Sequence, residues 1–246
     1  MQTTTPTSQG KIVTEAMLDK LPEPVRRYLT YTGVVGQPWI DTVRLKYKGM
    51  FRLEKDKPWM PMRADQVYMT NPPGFQWKAH FSMFGLPLLY GQDTYKDGQG
   101  HMFGKLAGLK TVFDVCGQEL LQGTMLRYLQ EMMWFPIAYL SDYITWDAVD
   151  NHAADVTFTY GEERVTGRMY FDDAGRAMNF VAQRYRETQG TFSLDTWTTP
   201  VSEYSTYAGL RLPFSGQATW LLPAGDLTYI KLEIAEVSYN VPIPAF

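Results

Sequence analysis

The sequence predicts a mainly β protein: a large curved antiparallel sheet, a half-barrel or barrel, wrapped around one central helix and preceded by a short N-terminal helical segment. Three observations carry that expectation. From Thr42 onward apolar residues alternate with polar ones along most of the chain, the period of strands with one buried and one wet face. Short turns rich in Gly and Asp join these runs, and sequential strands joined so tightly must be antiparallel, because a parallel return needs about a dozen residues or more. One internal segment, MLRYLQEMMWFP at Met125 to Pro136, has helical spacing instead and carries Arg127 and Glu131 one turn apart.

The elements follow in order. Residues 1–10 are Thr, Ser, Gln, Pro and Gly apart from Met1, too polar to bury a face, and read as a mobile tail; residues 11–246 read as a single β-rich domain. Helical pieces are expected over 13–31, with Thr14 placed to cap the first and Pro24 placed to open the second. Val43, Leu45, Tyr47, Phe51 and Leu53 alternate with Arg44, Lys46, Lys48 and Arg52, a strand whose buried row is interrupted by Gly49, where a bulge or bend is expected. Further strands are expected near 62–70, 75–83, 89–96, 101–107, 143–149, 154–160, 164–171, 177–187, 191–199, 214–222 and 227–239. Asp97-Gly98, Gly161 and Asp172-Asp173-Ala174-Gly175 supply hairpin turns. So long a meander twists toward a barrel or half-barrel, and its concave face has to be filled.

The central helix, expected over 118–134, is the greasy element available to fill it. Arg127, Gln130, Glu131 and Trp134 share one side, Leu126, Leu129 and Met133 another, and Tyr128, Met132 and Phe135 occupy much of the remainder. Pro136 would clash with the carbonyl of Met132, so the helix should stop or kink at about Phe135. An enclosed helix makes two charges costly unless they are paired. Arg127 and Glu131 are then either a structural ion pair or a functional pair, with Glu131 as proton donor, acceptor or ligand anchor and Arg127 as its partner.

Composition excludes several classes. A net charge of −3 with dispersed Lys and Arg gives no footprint for nucleic acid. Cys116 stands alone, read as a partly buried inert thiol, so no cysteine-based metal site can form. His80, His101 and His152 have no metal-ligand spacing, Asp172-Asp173 and Glu162-Glu163 fall in turns, and the glycines form neither GxGxxG nor a Walker-type loop. No cofactor and no metal are expected. The N-terminus has neither a basic start nor an apolar h-region, and no apolar run reaches the ~18 residues of a membrane span, which together favour the cytoplasm. Trp59, Trp77, Trp134, Trp197 and Trp220, with many Met, Tyr and Phe, fit either a β-core or a large apolar cavity.

Several segments carry a family likeness: LPEPVRRYLTYTGVVG at Leu21 to Gly36, PWMPMRADQ at Pro58 to Gln66, NPPGFQWKA at Asn71 to Ala79, and LRYLQEMMWFP at Leu126 to Pro136, joined by FDDAGR, PVSEY and VSYN further on. Together they resemble a bacterial family of unknown function across nearly the whole chain. The shape this implies is that of the lipoprotein-carrier half-barrel, a strongly curved antiparallel sheet around helices with an apolar cavity between them.

The functional expectation is binding of a hydrophobic small molecule, such as a lipid, fatty acid or aromatic or terpenoid metabolite, between sheet and helix. The alternative is a cofactor-independent lyase, isomerase or hydrolase with Glu131 as general acid or base and Arg127 as partner. Tyr128, Met132, Trp134, Trp77, His80 and Arg184 are the expected ligand-binding residues. The protein is expected as a monomer or homodimer, without integral membrane association.

Overall fold

The computed structural model describes residues 3–4, 8, 10–83, 85–188, 190–244 and 246. A two-residue strand β1 (Thr3–Thr4) and a 3-10 turn at Glu15–Met17 precede helix α1 (Glu23–Thr32). A meander follows: β2 (Thr42–Phe51), β3 (Met60–Thr70), β4 (Pro73–Met83), β5 (Leu86–Lys96), β6 (Gln99–Leu106) and β7 (Lys110–Cys116). Helix α2 (Gln118–Glu131) then leads through 3-10 turns at Met132–Trp134 and Pro136–Leu140 into a second meander. This comprises β8 (Ile144–Asp150), β9 (Ala153–Tyr160), β10 (Glu163–Phe171), β11 (Ala177–Thr188), β12 (Thr191–Thr198), β13 (Val201–Tyr207), β14 (Leu210–Leu221), β15 (Leu227–Tyr239) and the short β16 (Ile243–Pro244).

Strands β2 to β15 form one antiparallel sheet of 14 strands, running from β7 in to β2, across to β15 and β14, then through β12 and β11 out to β8, while β16 pairs with β1. The halves join where β2 pairs with β15. At this seam a Cβ on Gly49 would stand 2.0 Å from the Lys231 carbonyl oxygen, so only glycine lets the two backbones run at this spacing. The bulge expected at Gly49 falls instead on the partner strand, between Ile234 and Glu236. On the edge away from β15, β14 serves two neighbours, β13 along Leu210 to Gly216 and β12 along Thr219 to Leu221.

The sheet curls until its arms meet α2 from both sides. On β6, Gly100 lies so close that a Cβ there would sit 2.8 Å from Thr124 Oγ1 and 3.1 Å from Leu121 Cα. On the other arm, Arg184 of β11 donates to the Gly123 carbonyl at 3.0 Å. One end of the half-barrel is plugged by the residues after α2 and covered by α1. There Tyr28 packs on Tyr139 and Phe171, while Tyr68, Tyr128, Phe135 and Phe158 form a continuous ring cluster.

Some expectations need adjusting. α2 ends at Glu131 and tightens to a 3-10 turn before the Pro136 stop, so the regular helix is shorter than 118–134. Thr14 precedes the first 3-10 turn without a side-chain cap bond, whereas Pro24 does sit in the first turn of α1. Within the stretch read as a mobile tail, Thr3–Thr4 pair with Ile243–Pro244, and Ser8 donates to Asp41 through its amide and hydroxyl at 2.9 and 2.6 Å. Cys116 is exposed at the end of β7, not partly buried.

Candidate functional site

The helical spacing that places Arg127 and Glu131 one turn apart aims both at the concave faces of β3 and β5. Arg127 donates from Nε to Glu131 Oε1 at 2.9 Å, from Nη1 to Asp93 Oδ2 at 2.9 Å and from Nη2 to Gln66 Oε1 at 3.2 Å. Gln66 Nε2 and the Tyr68 hydroxyl both donate to Glu131 Oε2, at 2.7 and 3.1 Å. The guanidinium also lies 4.8 Å from the Trp77 ring and 5.2 Å from Phe75. The group is enclosed, with side-chain exposures of 14% for Arg127, 7% for Glu131 and 4% for Asp93.

Burial so deep would favour the neutral form of each group unless opposite charge and hydrogen bonds outweighed it. For Arg127 burial pushes the pKa down, but the Glu131 and Asp93 carboxylates more than reverse it and hold the guanidinium well above its usual range. The Tyr68 phenol is driven well above its ordinary value by burial and then by Glu131, which keeps its proton available for donation. Glu131 therefore offers no free oxygen, since one belongs to Arg127 and the other to Gln66 and Tyr68.

This cluster forms part of the wall of a cavity of about 380 Å³ between α2 and the concave sheet. The wall is dominated by rings and aliphatic side chains, among them Tyr47, Phe51, Trp77, Phe81, Trp134, Trp197, Trp220 and Leu232. Arg184 lines the same space from β11. Its guanidinium carbon lies 4.5 Å from the Trp197 ring and 5.7 Å from Trp220, and Nη1 donates to the Tyr229 hydroxyl at 3.4 Å.

The sequence-selected residues divide into two sets. Arg127, Glu131, Trp134, Trp77 and Arg184 all line the cavity. Tyr128 and Met132 are wholly buried behind it, with the Tyr128 hydroxyl donating to the Met69 carbonyl at 2.9 Å. His80 stands exposed on the outer face against the Tyr90 ring and does not join them. His101 and His152 are exposed too, paired with Asp114 and Asp173. Sequence reasoning missed Asp93, Gln66 and Tyr229. For the first two a signal existed: each is a polar residue within an inward row, Asp93 between Gly91 and Tyr95, Gln66 between Ala64 and Tyr68.

A mainly β half-barrel closed over an internal helix, with an aromatic-lined cavity between them, is the class that fold and site define. The chain belongs to a family of unknown function (DUF6544), whose sequence profile matches residues 11–232. No protein of curated function matches it. Among solved structures it is similar to a putative outer membrane lipoprotein-sorting protein domain from Vibrio parahaemolyticus, at 10% identity and TM-score 0.44, covering 81% of this chain and 85% of that one. It is also similar to a LolA superfamily protein from Nitrosomonas europaea, at 8% identity and TM-score 0.47, covering 92% and 94%. The cytoplasmic expectation is withdrawn: it rested on the composition of the N-terminus and the lack of a membrane span, which do not fix a compartment. Among the described residues no helix is long and apolar enough to cross a membrane.

Proposed function

We propose that the protein binds a hydrophobic small molecule, such as a lipid, fatty acid or aromatic or terpenoid metabolite, in the cavity between α2 and the sheet. The observation that carries this reading is the cavity itself. At about 380 Å³ it falls within the range of roughly 300–1,000 Å³ typical of small-molecule sites, and its wall combines many rings with a few placed polar groups. Arg127 and Glu131 act here as a rigid section of wall, because the nitrogens of one and the oxygens of the other are hydrogen-bonded to protein partners. Residues 11–246 act as one domain, as a monomer or homodimer that sedimentation distinguishes.

Native mass spectrometry of the purified protein, combined with thermal shift across a lipid and metabolite panel, tests the proposal. A fitting ligand gives a mass adduct and raises the melting temperature, with about 2.7 kcal/mol of stabilisation when free ligand is a hundredfold above its Kd. A panel in which no compound produces an adduct or a shift overturns it.

A further inference from the structure

We propose that Arg184 and Tyr229 form an oxyanion subsite in the cavity wall, so that the ligand is an amphiphile with an apolar body and a carboxylate or phosphate head. This deepens the binding reading above and rests on it.

Three arginines line the cavity, and two are neutralised by protein. Arg127 has Glu131 and Asp93. Arg186 has Asp195, with Nε donating at 2.8 Å. Arg184 has no carboxylate partner among the described residues. The strand register makes this pointed: Asp195 lies directly opposite Arg184 across the β11–β12 ladder, yet its carboxylate is turned to Arg186 and to the Ser193 hydroxyl, which donates at 2.6 Å. Glu119 and Glu187 also line the cavity, and neither forms an ion pair with Arg184 among the described residues.

The hydrogens left over around Arg184 are donors. Its Nε is taken by the Gly123 carbonyl and its Nη1 by the Tyr229 oxygen, while Nη2 has no partner among the described residues. Tyr229 already accepts from Arg184 and from Trp197 Nε1, the latter at 3.1 Å, so its own hydroxyl proton is free to be given away. Trp220 stacks on Tyr229 with an interplanar angle of 24°, and Trp197 and Trp220 flank the guanidinium, which fixes both donors in place. A cation and a phenol proton without an acceptor, set in a largely apolar wall, are complementary to an oxyanion. The planar guanidinium suits carboxylate and phosphate alike. Phe51, Phe81, Leu89 and Leu232 supply the surface for the apolar body.

Tryptophan-fluorescence titration of the full chain with dodecanoate, dodecyl phosphate and 1-dodecanol at pH 8 tests the assignment. The wild-type protein is expected to bind at least one oxyanion roughly tenfold or more tighter than the alcohol, the gain of one charge-assisted hydrogen bond. The better of the two identifies the head group. Arg184→Gln should remove that preference, lowering oxyanion affinity far more than dodecanol affinity, Arg184→Lys should restore part of it, and Tyr229→Phe should weaken the oxyanion a few-fold. Should Arg184→Gln fail to fold, Tyr229→Phe carries the test. Equal affinity for oxyanions and alcohol in the wild type, or a preference that survives Arg184→Gln, overturns the subsite and leaves the hydrophobic-binding reading standing. Failure of all three compounds to bind overturns that reading as well.

Discussion

Arg127 and Arg184 face the same cavity from opposite supports and are treated differently by the fold. Arg127 projects from α2 into a set of partners that takes all three of its nitrogens and includes two carboxylates. Arg184 projects from β11 toward α2, is flanked by tryptophans, and lacks a carboxylate although one lies opposite it in register. The contrast separates a charge used to fix an element from a charge left available. Buried ion pairs seldom add net stability over apolar packing, but they tolerate one arrangement and punish others. Arg127 therefore sets the rotation and depth of α2, whereas Arg184 can answer to something that enters.

The largest effect should come from removing the cation of the first set. Arg127→Gln leaves Glu131 and Asp93 buried without their counter-charge and is expected to cost about 3–5 kcal/mol in denaturant unfolding. A loss below about 1 kcal/mol would mean that the cluster is hydrated and that the contrast is overstated. Glu131→Gln removes one of the two carboxylates but can still meet Gln66 and Tyr68, so urea titration should register a smaller loss of about 1–3 kcal/mol. Arg184→Gln sacrifices two ring contacts, the bond to Gly123 and the long bond to Tyr229. Calorimetry of the ligand-free protein is expected to show about 1 kcal/mol or less, well under the Arg127 value.

The smallest effect is a pH dependence. The Asp195 carboxyl is held below the usual carboxylate range by the Ser193 hydroxyl first and by Arg186 after it, against an opposing contribution from burial. A lowered pKa means that the unfolded chain binds more protons in that window, so the contribution is complete above about pH 4 and fades as pH falls through the lowered value. The melting-temperature gap between wild type and Asp195→Asn should therefore be open at neutral pH and close on acidification. A gap that is constant with pH would show that Asp195 acts through packing alone.

Much of this was legible in the sequence, for identifiable reasons. A strand with one buried face writes a period of two, as β2 does, and the inner helix wrote its own period and its charged pair. β7 was missed because nearly every residue in it is exposed, so no alternation exists to read. β13 was missed for a related reason, being largely exposed beyond Val201. The partners of Arg127 come from positions 61 and 34 residues away in sequence, and only the folded register brings Gln66 and Asp93 beneath the helix. His80 stands an odd number of residues from Trp77, so the period of the strand itself puts it on the opposite face, and it is exposed there.

One feature of the topology reaches beyond the site. β7 and β8 are the two free margins of the sheet, and α2 is the covalent span between them as well as a wall of the cavity. Whatever occupies the cavity therefore pushes on the same rod that ties the margins together. A bulky guest would be felt as a change in the width of the gap, and an empty, flexible gap would in turn loosen the grip on a guest. Hydrogen exchange along β8, which contributes no lining side chain among the described residues, would then report occupancy as a strain gauge reports load.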